Sequence, residues 1–445
     1  EQTARNDQWR RHECINLIPS EQSVSSFVER LCSADPAGRY NEHNRLRALG
    51  AAAPDVRYYQ GTSFIMEREE ELRAALRTFF DCSHVETRVI SGQMANDTVY
   101  DALMQFHNRL RGGLPERLRR VLVHDLNKGG HLSAQVQGAL RNYVDIDPDT
   151  GRPAVEHFPF RSDDPYAIDA EATCRLIDAT EPQLIVFGRS VILQREPVAE
   201  IASFVFERFG RDDPRRPLLM YDGAHVLGLL GPHFQSPLAE GADIVTGSTH
   251  KTFFGPQRGV ILARIEPDSA FEPLWQQIES RTFPGHVSNH HLGTQLGLLG
   301  ATLEMLAFRD QYPRQVITNA RAFARALVEL GLSVEGNPEH GYTETHQVLL
   351  RGARARGGAL AQRLEAANII TNAQAFHDDP SFAAASGIRM GSQEMTRHGM
   401  VEADFVELAG LLAGVVRDPG GRSLERWRNA ATELRARFTA MRFCL

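Results

Sequence analysis

Of the 49 lysines and arginines in this 445-residue chain, only two are lysines, Lys128 and Lys251. Drift toward arginine codons accounts for the imbalance, and it leaves two amines that can do what a guanidinium cannot: lose a proton and form an imine with an aldehyde. Lys251 lies in Ala242-Asp-Ile-Val-Thr-Gly-Ser-Thr-His-Lys-Thr-Phe-Phe-Gly-Pro-Gln-Arg-Gly259, an apolar run that breaks into small and polar residues. Three other features belong with it. Met220-Tyr-Asp-Gly-Ala-His225 puts Asp222 at the end of an apolar run, 29 residues before Lys251. Ser91-Gly-Gln-Met-Ala-Asn96 reads as a strand-to-helix turn whose N–H groups suit a phosphate. Ser386-Gly-Ile-Arg389 offers a guanidinium for a bidentate grip on a carboxylate. Singly, each has a plainer reading: a solvated lysine, a turn-forming Asp-Gly, a helix cap, a surface charge. Together, an amine, a carboxylate, a phosphate turn and a carboxylate clamp are what pyridoxal 5′-phosphate and an amino acid require.

The elements that must carry these groups read as α/β. Apolar runs at 85–90, 121–123, 184–187, 218–221, 244–245 and 260–263 are each bounded by Gly, Asp, His or Ser, as buried strands with functional residues at their C-terminal ends are. Residues 62–80 carry acids early and arginines late with apolar residues at helical spacing, which predicts a helix. After Pro284 the texture changes: residues 294–332 read as helical, 348–350 and 369–371 as short strands, and helices resume near 401. The length exceeds what one core fills. The expected division is a segment 1–45 that packs against a neighbour, which the resemblance given below makes a dimer partner, a large α/β domain at 46–285, and a smaller α+β domain at 286–445.

A hydrophobic content of 42%, a charged content of 24% and a net charge of −7 describe an ordinary globular enzyme with no basic footprint for nucleic acid. The N-terminal residues do not form a signal peptide and no run of 18 apolar residues occurs, so no membrane association is expected. Five scattered cysteines with no CxxC pair fit a reducing cytoplasm, and neither they nor the adjacent His290-His291 predict a metal site.

The segments Leu17-Ile-Pro-Ser-Glu21, Tyr40-Asn-Glu42, Arg57-Tyr-Tyr-Gln-Gly61, Gly129-Gly-His-Leu132, Asp222-Gly-Ala-His-Val-Leu-Gly228, Thr249-His-Lys-Thr252, Phe283-Pro-Gly285 and Ser386-Gly-Ile-Arg389 resemble serine hydroxymethyltransferases, in the same order and across nearly the whole chain. The resemblance implies a fold-type I, aspartate aminotransferase-like enzyme that uses pyridoxal 5′-phosphate. It also implies a homodimer with active sites at the subunit interface, and leaves pairing of dimers open. By position, Lys251 would be the Schiff-base lysine, Asp222 the partner of the pyridinium nitrogen and His225 a neighbour of the ring. Ser190 would approach the phenolic oxygen, and Ser91, Gly92, Gln93 and His250 would hold the phosphate, with Tyr40 and Asn289 also at the cofactor. Arg389, Ser20, Tyr58 and Tyr59 would bind substrate, and Glu42 would act as acid and base on a β-hydroxyl.

Departures from the family pattern bear on the reaction. Tyr40 and Tyr58 are 18 positions apart, separated by an added Arg45-Leu-Arg-Ala-Leu-Gly-Ala-Ala-Ala53 where the family walls its folate entrance. Lys128 precedes Gly-Gly-His where a ring-stacking histidine is expected; an ammonium over the pyridinium is unfavourable, so Lys128 either points away or binds an anion, and it joins the candidate substrate-binding residues. Gln257 replaces an arginine, Ser288-Asn289 a glycine pair, and Gln93 a serine; no folate-contacting pattern occurs near Asn372. The motifs Gly255-Pro-Gln-Arg-Gly259, Tyr342-Thr-Glu-Thr-His-Gln347 and Gly391-Ser-Gln-Glu-Met-Thr-Arg-His-Gly399 look more like divergent natural-product relatives. These include the threonine transaldolases and lincosamide-pathway enzymes that process S-conjugated cysteines. The leading expectation is folate-independent aldol or transaldol chemistry on a β-hydroxy amino acid with an aldehyde acceptor. The next is processing of a cysteine thioconjugate gripped by Lys128 and Arg45 or Arg47, then ordinary folate-dependent hydroxymethyl transfer, and last a non-catalytic scaffold on the same fold.

Overall fold

The computed structural model describes residues 1–45, 55–352 and 356–445. Its strands, in chain order, are β1 (Ile15–Asn16), β2 (His43–Arg45), β3 (Asp55–Arg57), β4 (His84–Glu86), β5 (Val121–Val123), β6 (Val155–His157), β7 (Leu184–Phe187), β8 (Leu218–Asp222), β9 (Ile244–Ser248), β10 (Gly259–Ala263), β11 (Gln347–Arg351), β12 (Ile369–Ile370), β13 (Asn372–Gln374) and β14 (Gly387–Gly391).

Seven of these form one sheet in the order β4-β10-β9-β8-β7-β5-β6. The run β9-β8-β7-β5-β6 is parallel, and β10 lies antiparallel to both β9 and β4. Because side chains alternate along a strand, each central strand fills two cores. Ile185, Phe187, Leu219, Tyr221, Val245 and Leu262 face the helices Ser63–Phe80, Val198–Phe209 and Leu292–Ala307. Leu184, Val186, Leu218, Met220, Ile244 and Ile261 face the helices Gly92–Arg111 and Glu272–Ser280. With both faces covered, these strands begin as apolar runs that turn polar only toward their C-terminal ends, which is why they stand out in the sequence. The expected strand at 85–90 stops at Glu86. Beyond it the Thr87 carbonyl accepts from Arg258 at 2.7 Å and the Val89 carbonyl from the Gly259 N–H at 3.2 Å, so the chain leaves the ladder. The expected helix at 62–80 forms as Ser63–Phe80.

A second, antiparallel sheet, β11-β14-β13, packs Val348, Leu350, Ile388 and Met390 against the helices Gln311–Glu329 and Glu402–Arg417. The N-terminal segment crosses to this region: β1 pairs in parallel with β12. The helix Ser26–Cys32 then lies on Leu292–Ala307. These parts of 1–45 are thus seated on their own chain. No helix among the described residues is long and apolar enough to cross a membrane.

Candidate active site

The parallel strands bring their C-terminal ends to one edge of the large sheet, and the sequence continues there into polar turns. Asp222 ends β8, Lys251 follows β9 by three residues, and Gly188-Arg-Ser190 follows β7. The turn after β7 comes close only because of Gly188. Its φ is +81°, and a Cβ there would run into the Asp222 carbonyl.

Asp222 is buried and its carboxylate is held by fixed donors. The Thr246 hydroxyl donates to Asn96 Oδ1 at 2.6 Å, which turns the amide so that Asn96 Nδ2 donates to Asp222 Oδ2 at 2.7 Å. Ala224 N–H donates to Oδ1 at 3.1 Å, and His131 Nε2 lies 3.6 Å from the same oxygen. His131 Nδ1 meets the Ser190 hydroxyl at 3.1 Å. Burial outweighs the Asp222 carboxylate and pushes the His131 imidazole down to about 4.

Desolvation pushes the Lys251 ammonium down to about 8; Asp222 opposes this and Arg389 adds to it. The free base of the amine therefore forms through about pH 8, well below the range of a solvated lysine. His225 is buried and held well below the usual histidine range, first by burial and then by Lys251, Arg389, His131 and His346.

Arg389 sits mid-strand in β14, diagonal to Gln347 on the paired β11, so both side chains leave the same face of the small sheet. It is buried, makes no ion pair with a carboxylate among the described residues, and donates through Nη1 to the Ser190 carbonyl at 2.7 Å. Burial alone pushes it down to about 10, and its Nε has no partner. A buried guanidinium left in this state is a receptor for an anion.

Ser91 caps the helix Gly92–Arg111, accepting from Met94 N–H at 3.1 Å, and leaves the N–H groups of Gly92 and Gln93 as the first open donors. Gly92 packs so tightly on Ser248 that a Cβ would strike the hydroxyl oxygen. His250, two residues on, keeps a buried Nδ1 without a partner. The same helix is tied to the loop after Glu272–Ser280. His286 faces Asp101 at 3.5 Å and Asp97 at 3.0 Å through its two ring nitrogens, and these carboxylates push it up to about 9. A folded value above the unfolded one gives stability that is complete below about pH 6.5 and is lost as pH rises through about 9. Thermal melts from pH 6 to 10 are expected to fall across that window by about 1–3 kcal/mol. In a His286→Gln variant that part of the fall is expected to vanish.

Other expected site residues gather elsewhere. Tyr40 and Tyr59 pack ring to ring at 5.3 Å, the Tyr58 N–H donates to the Glu42 carbonyl at 3.2 Å, and Asn289 Nδ2 donates to the Arg39 carbonyl at 3.2 Å. The three tyrosines are 43–59% exposed, and Glu42 is not among the charges that act on Lys251 within this chain's described residues. Ser20 lies on the turn after Pro19, whose carbonyl accepts from His346 Nε2 at 3.1 Å. Lys128 is exposed and its ammonium lies 5.4 Å over the Phe160 ring; the buried histidine of that turn is His131. Gln257 is exposed while Arg258 is spent on the carbonyls of His290, His291 and Thr87. Arg47, with the rest of 46–54, lies outside the described residues.

An amine available near pH 8, a fixed carboxylate, open helix-terminal donors and an unpaired buried guanidinium fit pyridoxal 5′-phosphate with an amino acid, and with the doubly covered sheet they define a fold-type I enzyme of that cofactor. Comparison with known proteins agrees. The model of the serine hydroxymethyltransferase family matches residues 1–412, and the chain belongs to that family. Serine hydroxymethyltransferase from Archaeoglobus fulgidus is 35% identical over 96% of this chain and 88% of its own length, and that from Staphylothermus marinus 36% over 100% and 92%. The crystal structure of an L-threonine transaldolase from Pseudomonas fluorescens, in its internal aldimine state, superposes with a TM-score of 0.81 at 25% identity, covering 100% of this chain and 92% of that one. The cofactor of this enzyme is pyridoxal 5′-phosphate.

Sequence reasoning named Lys251, Asp222, His225, Ser190 and Arg389, and the structure gathers them. No role fell to His131, Asn96 or Gln347, although each lies in a motif named above, and Ser133 was missed. Asn96 falls one helical turn beyond Gly92, on the face that looks at Asp222, and that spacing was the available signal.

Proposed function

We propose that this enzyme cleaves the Cα–Cβ bond of a β-hydroxy-α-amino acid without folate and joins the glycyl unit to a second aldehyde, a transaldolase of specialised metabolism. The observation that carries this reading is the whole-chain likeness to an L-threonine transaldolase, combined with an intact amino-acid half of the site. Bound here, the cofactor supplies an aldehyde for the Lys251 amine and a protonated ring that takes up the electrons left at Cα. Arg389 grips the substrate carboxylate and Asp222 keeps the ring nitrogen protonated. His131 and His225, both held neutral by burial, would line the ring's site without adding positive charge. Glu42 takes the β-hydroxyl proton as acetaldehyde leaves, and returns it to the new alkoxide. Glu42, Tyr40, Tyr58 and Tyr59 reach the site of a second copy of the chain, which accounts for tyrosines that stand exposed in a single one.

Incubation with L-threonine and benzaldehyde is expected to release acetaldehyde and yield β-hydroxyphenylalanine in equal amounts, with no tetrahydrofolate present. Absence of acetaldehyde would sink the proposal. The 35–36% identity to serine hydroxymethyltransferases favours a second reading, folate-dependent transfer from serine. Strict dependence of serine cleavage on tetrahydrofolate would establish it. Release of pyruvate, ammonia or carbon dioxide from an S-conjugated cysteine would instead identify a thioconjugate-processing enzyme.

A further inference from the structure

We infer that Gln347 is a positioning residue that fixes the tautomer of His225 and, through the same amide, the turn that anchors Arg389. Gln347 is fully buried at the start of β11. Its orientation follows from two backbone groups whose roles are not interchangeable. Ile192 N–H can only donate, and it meets Gln347 Oε1 at 3.2 Å; the Ser190 carbonyl can only accept, and it meets Gln347 Nε2 at 2.9 Å. The second proton on Nε2 is left facing His225 Nδ1 at 3.4 Å. An amide N–H can approach that nitrogen only if it carries no proton, so His225 is a neutral imidazole with its hydrogen on Nε2.

The groups around His225 act in the same direction. Lys251, Arg389, His131 and His346 all disfavour a charged ring, and no carboxylate is among the charges that act on it most strongly. His131 and His346 lie 5.4 and 6.4 Å from it, ring centre to ring centre. Gln347 thus does for His225 what a carboxylate does in many sites, with the opposite polarity: it donates to Nδ1 and leaves Nε2–H as a fixed donor. The Ser190 carbonyl that Gln347 holds is also the one Arg389 binds, so one amide sets both the ring donor and the carboxylate clamp. This inference rests on the family assignment and the cofactor, not on which aldehyde is transferred.

The test is ¹⁵N-histidine NMR of the holoenzyme, with the His225 resonances assigned by their loss in His225→Asn, together with a pH titration of the bound cofactor's visible absorption. Wild type is expected to show His225 protonated on Nε2 from pH 6 to 9. Gln347→Glu replaces the donor by an acceptor and is expected to draw a proton to Nδ1, adding an absorbance step between about pH 6 and 8. Gln347→Leu is expected to release the tautomer and to lower kcat by about 10–100-fold, the range over which partners behind a functional group act. A wild-type His225 protonated on Nδ1 overturns the inference whatever the variants do. So does retention of the wild-type tautomer and pH profile by both variants.

Discussion

Lys251→Ala is expected to fold normally and to lose at least about a thousandfold in turnover, the scale on which losing one proton-transferring group acts. The substitution removes a cation that Arg389 repels and Asp222 attracts, so its effect on stability is small beside its effect on chemistry. The composition supplies an unusually direct check. Borohydride reduction of the holoenzyme can fix the cofactor on one of two lysine side chains only. Lys251 is expected to carry the mass increment and the exposed Lys128 none. The same amine predicts a pH dependence. Its free base accumulates through about pH 8. Capture of the aldehyde by cofactor-free protein is therefore expected to quicken from pH 7 to 9 and then level off. A lysine of unperturbed basicity would continue to gain up to about pH 10. Turnover within tenfold of wild type in Lys251→Ala would remove the mechanism altogether.

The sheet was legible because its central strands are apolar on both faces and end in the polar residues of the candidate site. β7, β8 and β9 are readable from Leu184–Phe187, Leu218–Asp222 and Ile244–Ser248 for that reason. β6 was not, since Val155-Glu-His157 is an edge strand with one apolar residue and only partial burial. β14 hid for another reason: Arg389 occupies a buried strand position, and a charged residue there reads as a loop. The pair Lys251 and Asp222 was legible from local pattern, but its supports join residues far apart in the chain. Asn96 reaches Asp222 across 126 positions and Gln347 reaches His225 across 122. Such contacts have no periodicity to betray them. Lys128 illustrates the converse: it is one of two lysines in the sequence, yet its place, exposed over the Phe160 ring, could not be read from its rarity.

Asp222→Asn changes one atom and is expected to lower kcat by about 10²–10³-fold, as removal of one preorganised electrostatic partner does. The shape is kept, but the pattern of donors around it does not suit an amide. Asn96 Nδ2, turned by Thr246, and the Ser133 hydroxyl both face Oδ2, while Ala224 N–H faces Oδ1. A carboxylate accepts from both sides. An asparagine must point its NH₂ at one set of donors, leaving a buried mismatch of about 1–3 kcal/mol. Loss of the charge also reaches Lys251. Asp222 is the group that raises the lysine against desolvation, so the amine should be released below pH 8, and capture of the cofactor aldehyde should shift to lower pH accordingly. KM for the amino acid is expected to stay within a few-fold, because Arg389 and its anchor on Ser190 are untouched. That split separates an electronic role from a structural one. A variant that loses kcat and amino-acid affinity together would show Asp222 to be holding the site's shape, whereas one that keeps kcat within tenfold would show that the ring needs no carboxylate here.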